Sequence, residues 1–241
     1  ALQGAKGRKS SGCFLIEGEK LCAEALKAGL TIETALVLSG FEGSELAMAL
    51  CAKAKSAYAV HARVLEAVTE TKSPQRALCS ARIPGDGQAA YPLVALDGVQ
   101  DPGNIGAILR SADATGFSAL LGPGCADPYA PKAVRAAMGS LFRVRPAQTE
   151  DLAAELRRLR AEGAEILVSA LDGENFFAHE APAQRLVLII GSEGRGVSEE
   201  VRAEATSIVR LPMRGGAESL NAAVAAGILM YGLYRGRPTG G

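Results

Sequence analysis

Three times in this chain an almost uninterrupted apolar run breaks into a glycine-rich polar turn and then into a helix-like stretch. The three are YPLVALDGVQDPGNIGAILRSADATGF from Tyr91, RLVLIIGSEGRGVSEEV from Arg185 and SIVRLPMRGGAESLNAAVAAG from Ser207. A run such as LVLII, apolar at every position rather than at alternate ones, is the pattern of a strand buried on both faces, as in a parallel sheet covered by helices. Open sheets of this kind bind ligands outside the carboxyl ends of their strands. Chemistry is therefore expected at the three turns.

The rest of the chain supports an α/β reading. In residues 1–82, GCFLIEGEKLCAEALKAGL reads as a strand from Cys13 to Ile16 and a helix with Leu21, Cys22, Ala25 and Leu26 inward. TALVLSG and AYAVHA read as strands, SELAMALCAKAKSA and ARVLEAVTET as helices. This is a compact α-β module preceded by twelve residues that hold Lys6, Arg8 and Lys9 without an acid, either a mobile basic arm or a frayed terminus. Residues 83–91, with Pro84, Gly85, Asp86 and Gly87, lack periodicity and read as a linker. Residues 92–241 then alternate strands and helices, with APKAVRAAMGSLF and EDLAAELRRLRAEG as helices and EILVSAL as a strand. The last helix, SLNAAVAAGILMYGLYR, has no charge from Leu220 to Leu233 and must be enclosed, either with one face on the sheet and the other on a second subunit or wholly within a monomer.

Composition narrows the function classes. The 241 residues carry 26 basic and 26 acidic side chains, so bulk charge does not select a polyanionic partner. Beyond residue 90 the cations are arginines except for Lys132, a bias that suits planar phosphate contacts or simply reflects base composition. Five cysteines without a Cys-x-x-Cys pair argue against a disulfide framework or zinc site and fit a reducing cytoplasm. The two histidines, His61 and His179, are expected at the surface and not on a metal. No apolar stretch has the length of a membrane span.

At the turns, Asn104 and Arg110 lie six apart in a segment opened by QDPGN, where Gly103 and Gly106 permit close backbone approach. Glu193 stands between Ser192 and Gly194, past a strand that ends at Gly191, and Ser198 is the expected cap of the helix that follows. In the third turn Ser219 is the expected cap of the last helix, with Asn221 in its first turn and Met213 just past a strand end.

Taken in order, DPGNIGAILRSADATGF, IIGSEGRGVS and LPMRGGAESLNAAVAAG resemble the three motifs of the SpoU-type (TrmH-like) RNA ribose 2′-O-methyltransferases of the SPOUT class. GRKSSGCFLIEGEKLCAEAL and VTETKSPQ resemble that family's ribosomal-protein-like substrate-binding domain, with Arg76 where Gly is common and Ser192 where Asn is frequent. The resemblance implies a small N-terminal α/β substrate-binding domain and a C-terminal α/β SPOUT domain with a trefoil knot, working as a homodimer with S-adenosyl-L-methionine as cofactor. Carried over by position, Ala170, Leu171, Gly191, Leu211, Met213, Ser219 and Leu220 would hold the cofactor. Asn104, Arg110, Glu193, Ser219 and Asn221 would form the reaction site. RNA, ribosomal rather than transfer RNA, would meet Lys6, Arg8, Lys9, Lys72 and Arg76. With 5% aromatic residues and no Trp, folded RNA shape is expected to count for more than base stacking. A catalytically silent RNA-binding protein and a small-molecule enzyme are the competing readings. The five polar residues argue against the first and the added basic module against the second.

Overall fold

The computed structural model of the chain describes residues 1–69, 75–179 and 183–234. Lys72 therefore lies outside the described residues. The N-terminal part holds strands β1 (Cys13–Glu17), β2 (Ile32–Leu38), β3 (Ser56–Val60) and β4 (Ala77–Arg82) in the order β1-β4-β2-β3. Around them lie helices α1 (Ala5–Ser11), α2 (Glu19–Lys27), α3 (Glu45–Lys53) and α4 (Ala62–Val68). β4 runs antiparallel to both β1 and β2, and β2 pairs in parallel with β3. β4 has no counterpart among the elements expected from sequence. It fills the centre of the sheet, so its six residues, ALCSAR, are strand because of partners far away in the chain rather than by their own pattern.

The second sheet contains β5 (Leu93–Asp97), β6 (Ser118–Leu121), β7 (Ala147–Gln148), β8 (Glu165–Asn175), β9 (Leu186–Gly191) and β10 (Ser207–Arg210). Their order is β10-β8-β9-β5-β6-β7 and every pairing is parallel. The helices are α5 (Pro102–Thr115), α6 (Pro131–Ala137), α7 (Ser140–Val144), α8 (Leu152–Ala161), α9 (Glu199–Arg202) and α10 (Ala222–Tyr234). From β5 the chain moves outward through β6 and β7, then returns on the other side through β8 and β9. The strand order thus reverses between β5 and β9, where Asp97 and Gly191 face each other at the carboxyl ends. A crevice at such a reversal is where open α/β sheets take ligands.

Four local expectations change. The stretch read as one helix, APKAVRAAMGSLF, is α6 and α7, broken at Met138 and Gly139, both in the left-handed region at φ 51° and 93°. The N-terminal basic segment is not an arm. It forms α1, and Arg8 is only 4% exposed, bonded to Asp127 at 2.7 Å and to the carbonyls of Leu2 and Gln3. Arg8 is thus withdrawn from any RNA surface because it joins the two halves of the chain. His179 is half-buried, 3.0 Å from Glu165, whereas His61 is at the surface. The glycine expected to admit a ligand at position 106 instead admits a helix, since a Cβ there would collide with the Ala133 carbonyl of α6.

The two sheets share one apolar core. Phe14 of β1 packs on Tyr129 and Phe142, with ring centroids 5.0 and 6.1 Å apart, and the contact is flanked by ion pairs Arg135–Glu17 and Arg143–Glu24. Burial pushes the Tyr129 phenol up to about 12. Among the described residues no helix is long and apolar enough to cross a membrane, and no group of three His, Cys, Asp or Glu side chains could hold a metal ion.

Candidate active site

The three turns meet. β5 ends at Asp97 and α5 begins five residues later, capped by Asp101, whose Oδ1 accepts from the N–H groups of Gly103 and Asn104. Because Asp101 does the capping, the Asn104 side chain is free. Its Nδ2 donates to Glu193 Oε1, and its Oδ1 accepts from Asn221 Nδ2 at 3.1 Å. The Lys132 ammonium beside Asp101, 2.7 Å away, holds that carboxyl below its ordinary range against the opposing effect of desolvation, with help from the two backbone donors.

Glu193 is delivered by a tight turn. Ser192 and Gly196 exchange both backbone hydrogen bonds at 3.0 Å, and Gly196 sits at φ +69°. A Cβ on Gly191 would collide with the Gly196 carbonyl, so strand end and turn are packed backbone on backbone. Asp97 ties β5 to the same turn by accepting from the Ser198 N–H at 2.7 Å. Ser198 holds the capping position of α9 but its side chain makes no capping bond.

The cap of α10 is Asn221, not Ser219: Asn221 Oδ1 accepts from Ala223 and Val224 N–H at 3.0 and 3.2 Å. One amide thus fixes the helix start with its oxygen and reaches Asn104 with its nitrogen. Ser219 is exposed and makes no side-chain hydrogen bond among the described residues.

Beside this cluster lies a cavity of about 410 Å³, in the range of small-molecule sites. All seven residues expected around a cofactor line it, namely Ala170, Leu171, Gly191, Leu211, Met213, Ser219 and Leu220, and so does Glu193. Ala170 and Leu171 do not follow a strand but lie within β8, where the pairing with β10 jumps from Val168↔Ile208 to Glu174↔Val209 and residues 169–173 bow out. Among the described residues, the segment 211–220 makes no hydrogen bond to the rest of the chain, which leaves its backbone donors and acceptors available to a ligand.

The remaining expected residues are elsewhere. Arg110 is exposed on α5, about 9 Å along the helix from Asn104 and on another face, without a partner among the described residues. Lys6 and Lys9 are exposed on α1. Arg76 is bound to Glu19 by two hydrogen bonds, at 2.7 and 2.9 Å, and lies over the Phe41 ring. Four charged cavity residues were not singled out from sequence: Asp172, Arg195, Arg202 and Arg210. The Asp172-Gly173 pair after an apolar run was a turn signal of the same kind as the other three.

Residues 92–231 match the profile of the SpoU rRNA Methylase family, and residues 1–79 match that of the MRM3-like substrate binding domain. The chain belongs to the SpoU rRNA methylase family. It is similar to the 23S rRNA (guanosine(2553)-2′-O)-methyltransferase RlmP of Bacillus subtilis, with 36% identity over 95% of this chain and 91% of the relative. Among solved structures it resembles an AdoMet-bound rRNA methyltransferase from Sinorhizobium meliloti, with TM-score 0.86 and 31% identity over 98% of this chain and 92% of that one. It also resembles the SpoU methyltransferase AviRb from Streptomyces viridochromogenes in complex with AdoMet, with TM-score 0.85 and 29% identity over 97% and 94% of the two chains.

Proposed function

We infer that this protein transfers a methyl group from S-adenosylmethionine to a ribose 2′-hydroxyl of ribosomal RNA, and so works with RNA in the cytoplasm. The observation that carries the reading is Asn104, bonded at once to Glu193 and Asn221 beside the cavity, in a chain whose family and relatives are rRNA methylases. The cavity fits the cofactor. Leu171, Leu211, Met213 and Leu220 give it apolar walls for a flat base and a thioether chain, and the free backbone of 211–220 gives hydrogen-bonding groups for the base edge. Ala170, Gly191 and Ser219 complete the lining.

When bound, the cofactor supplies an electrophilic methyl on a positive sulfur, and the protein must align a hydroxyl with it and help remove the proton. Asn104 and Asn221, locked by each other and by Glu193, are rigid donors beside the place where a sugar would enter, and Ser219 adds a hydroxyl with no competing bond. Arg110 acts as a clamp on the target phosphate and stabilises the developing oxyanion. A neutral arginine at pH 7 would cost roughly 7 kcal/mol, which argues against its serving as base. Arg110 points away from its own chain's cluster, so this reading includes a homodimer through the C-terminal domain in which each Arg110 serves the other subunit. The trefoil knot and a division into 1–82, linker 83–91 and 92–241 belong to the same reading.

The test is incubation of purified protein with labelled S-adenosylmethionine and an unmodified 23S rRNA transcript, followed by nucleoside analysis. Label in a 2′-O-methyl nucleoside is expected. Folded protein that labels only bases, or nothing, overturns the reading.

A further inference from the structure

The cations of the C-terminal part fall into two sets. Most are engaged: Lys132 by Asp101, Arg143 by Asp113 and Glu24, Arg158 by Glu155 and Glu162, and Arg202 by Asp172. Arg145 and Arg185 donate to the backbone carbonyls of Phe142 and Glu162. Among the described residues of the C-terminal part, only Arg110, Arg195, Arg210 and Arg214 have guanidinium groups with neither an ion pair nor a hydrogen bond.

Three of these four are carried by the turns that frame the cavity. Arg195 is at the tip of the turn after β9, Arg210 ends β10, and Arg214 follows Met213. Arg195 and Arg210 line the cavity, and all three are exposed. The acids of these turns do not bind them: Glu193 is held by Asn104, Asp97 by the Ser198 N–H, and Glu218 makes no ion pair with Arg214. The N-terminal part offers less free charge than its composition suggests. Arg8 is buried, Arg76 is bound to Glu19, and Lys55 and Arg82 share Glu33.

The substrate's chemistry requires cations at this spot. In an RNA chain the 2′-hydroxyl and the 3′-phosphodiester are carried by adjacent ring carbons, so a site that admits the hydroxyl must also admit that negative charge. Guanidinium groups present planar pairs of donors suited to phosphate oxygens. We propose that Arg195, Arg210 and Arg214 form a phosphate-binding rim at the mouth of the cavity, gripping the RNA backbone on either side of the ribose presented there. The proposal rests on the methyl-transfer reading and assigns the contacts nearest the reaction to the catalytic turns rather than to the N-terminal domain.

The experiment measures affinity of the full chain for an unmodified 23S rRNA transcript as a function of potassium chloride concentration. Arg195→Ala, Arg210→Ala, Arg214→Ala and, as a control, Arg158→Ala are compared with wild type. Each rim variant should bind roughly tenfold more weakly at low salt. Each should also lower the slope of log affinity against log salt by about 1. Arg158→Ala should leave the slope unchanged, and S-adenosylmethionine uptake by calorimetry should stay within twofold of wild type in all four. Rim variants with wild-type slopes would overturn the proposal, as would loss of cofactor affinity without a change in slope, which would make these arginines cofactor ligands. Wild-type protein that takes up no S-adenosylmethionine yet shows the arginine-dependent slopes would overturn the methyl-transfer reading and leave the rim standing.

Discussion

Asp101 takes the capping of α5 on itself, and that division of labour leaves the Asn104 amide free to join Glu193 and Asn221. Removing the cap with Asp101→Ala should cost about 1 kcal/mol of stability, measured by urea denaturation. The pH dependence has a definite sign. Lys132 and the backbone donors hold the folded-state pKa of Asp101 below its unfolded value. The carboxylate's contribution is therefore present above the ordinary carboxylate range and is lost as pH falls through the folded pKa. The difference between wild type and Asp101→Ala should be flat near neutrality and shrink in acid; a difference that persists unchanged at low pH would show that charge has no part in it. Arg110→Ala should abolish turnover while cofactor affinity, read by calorimetry, stays close to wild type. Arg110→Lys separates clamp from base: a lysine base would recover activity as pH rises, whereas a clamp would give a flat profile. Gly191→Ala forces a methyl into the Gly196 carbonyl and should cost about 2 kcal/mol and most cofactor binding.

The bowed segment of β8 carries two of the residues expected at the cofactor, and its shape is held from both ends. Gly173 lies so close to Ile208 and Val209 that a Cβ would come within 2.7 Å of their backbone, and Asp172 is paired with Arg202 of α9 at 2.6 and 3.0 Å. The pair is exposed, so it adds little to global stability. Its effect should be local: Asp172→Asn is expected to raise the KM for S-adenosylmethionine several-fold at unchanged kcat and thermal midpoint, with the charge exchange Asp172→Arg, Arg202→Asp restoring much of it. An unaltered KM would mean that backbone packing at Gly173 suffices. These elements also show what was legible in the sequence. LVLII and VALD announced buried parallel strands, and the glycine turns after them announced the site, because both patterns are local. β4 was not legible: ALCSAR becomes strand only by lying between β1 and β2, whose partnering residues are distant in sequence. The α6–α7 break was legible at Gly139, since glycine is the usual residue for a left-handed helix end, but the apolar periodicity continues across it and hides it. Ser219 has the residue type of a cap. That Asn221 takes the role depends on the path of the loop before α10.

At the scale of the whole molecule, the described residues leave an apolar helix face uncovered. α10 packs its Ala226, Leu229, Met230 and Leu233 inward and exposes Val224, Ile228 and Tyr231, an i, i+4, i+7 stripe. α5 runs alongside, so close that a Cβ on Gly227 would lie 3.4 Å from Ser111 Oγ, and Arg110 is the preceding residue. The exposed apolar stripe and Arg110 therefore lie on neighbouring helices, so that on the proposed reading a subunit packed on the stripe would bring Arg110 to the partner's site. Light scattering should give a dimer, and Ile228→Asp should give monomers with little turnover. The sharper test mixes two inactive variants, Arg110→Ala and Asn104→Ala, after co-denaturation and refolding. If Arg110 acts across the interface, a mixed dimer has one site in which both residues are intact and one in which both are lost. Random pairing should then restore about a quarter of wild-type activity from two inactive preparations. If Arg110 serves its own chain, every site in the mixture lacks one of the two residues and the mixture stays inactive, which would remove the reason for requiring a second subunit at the site.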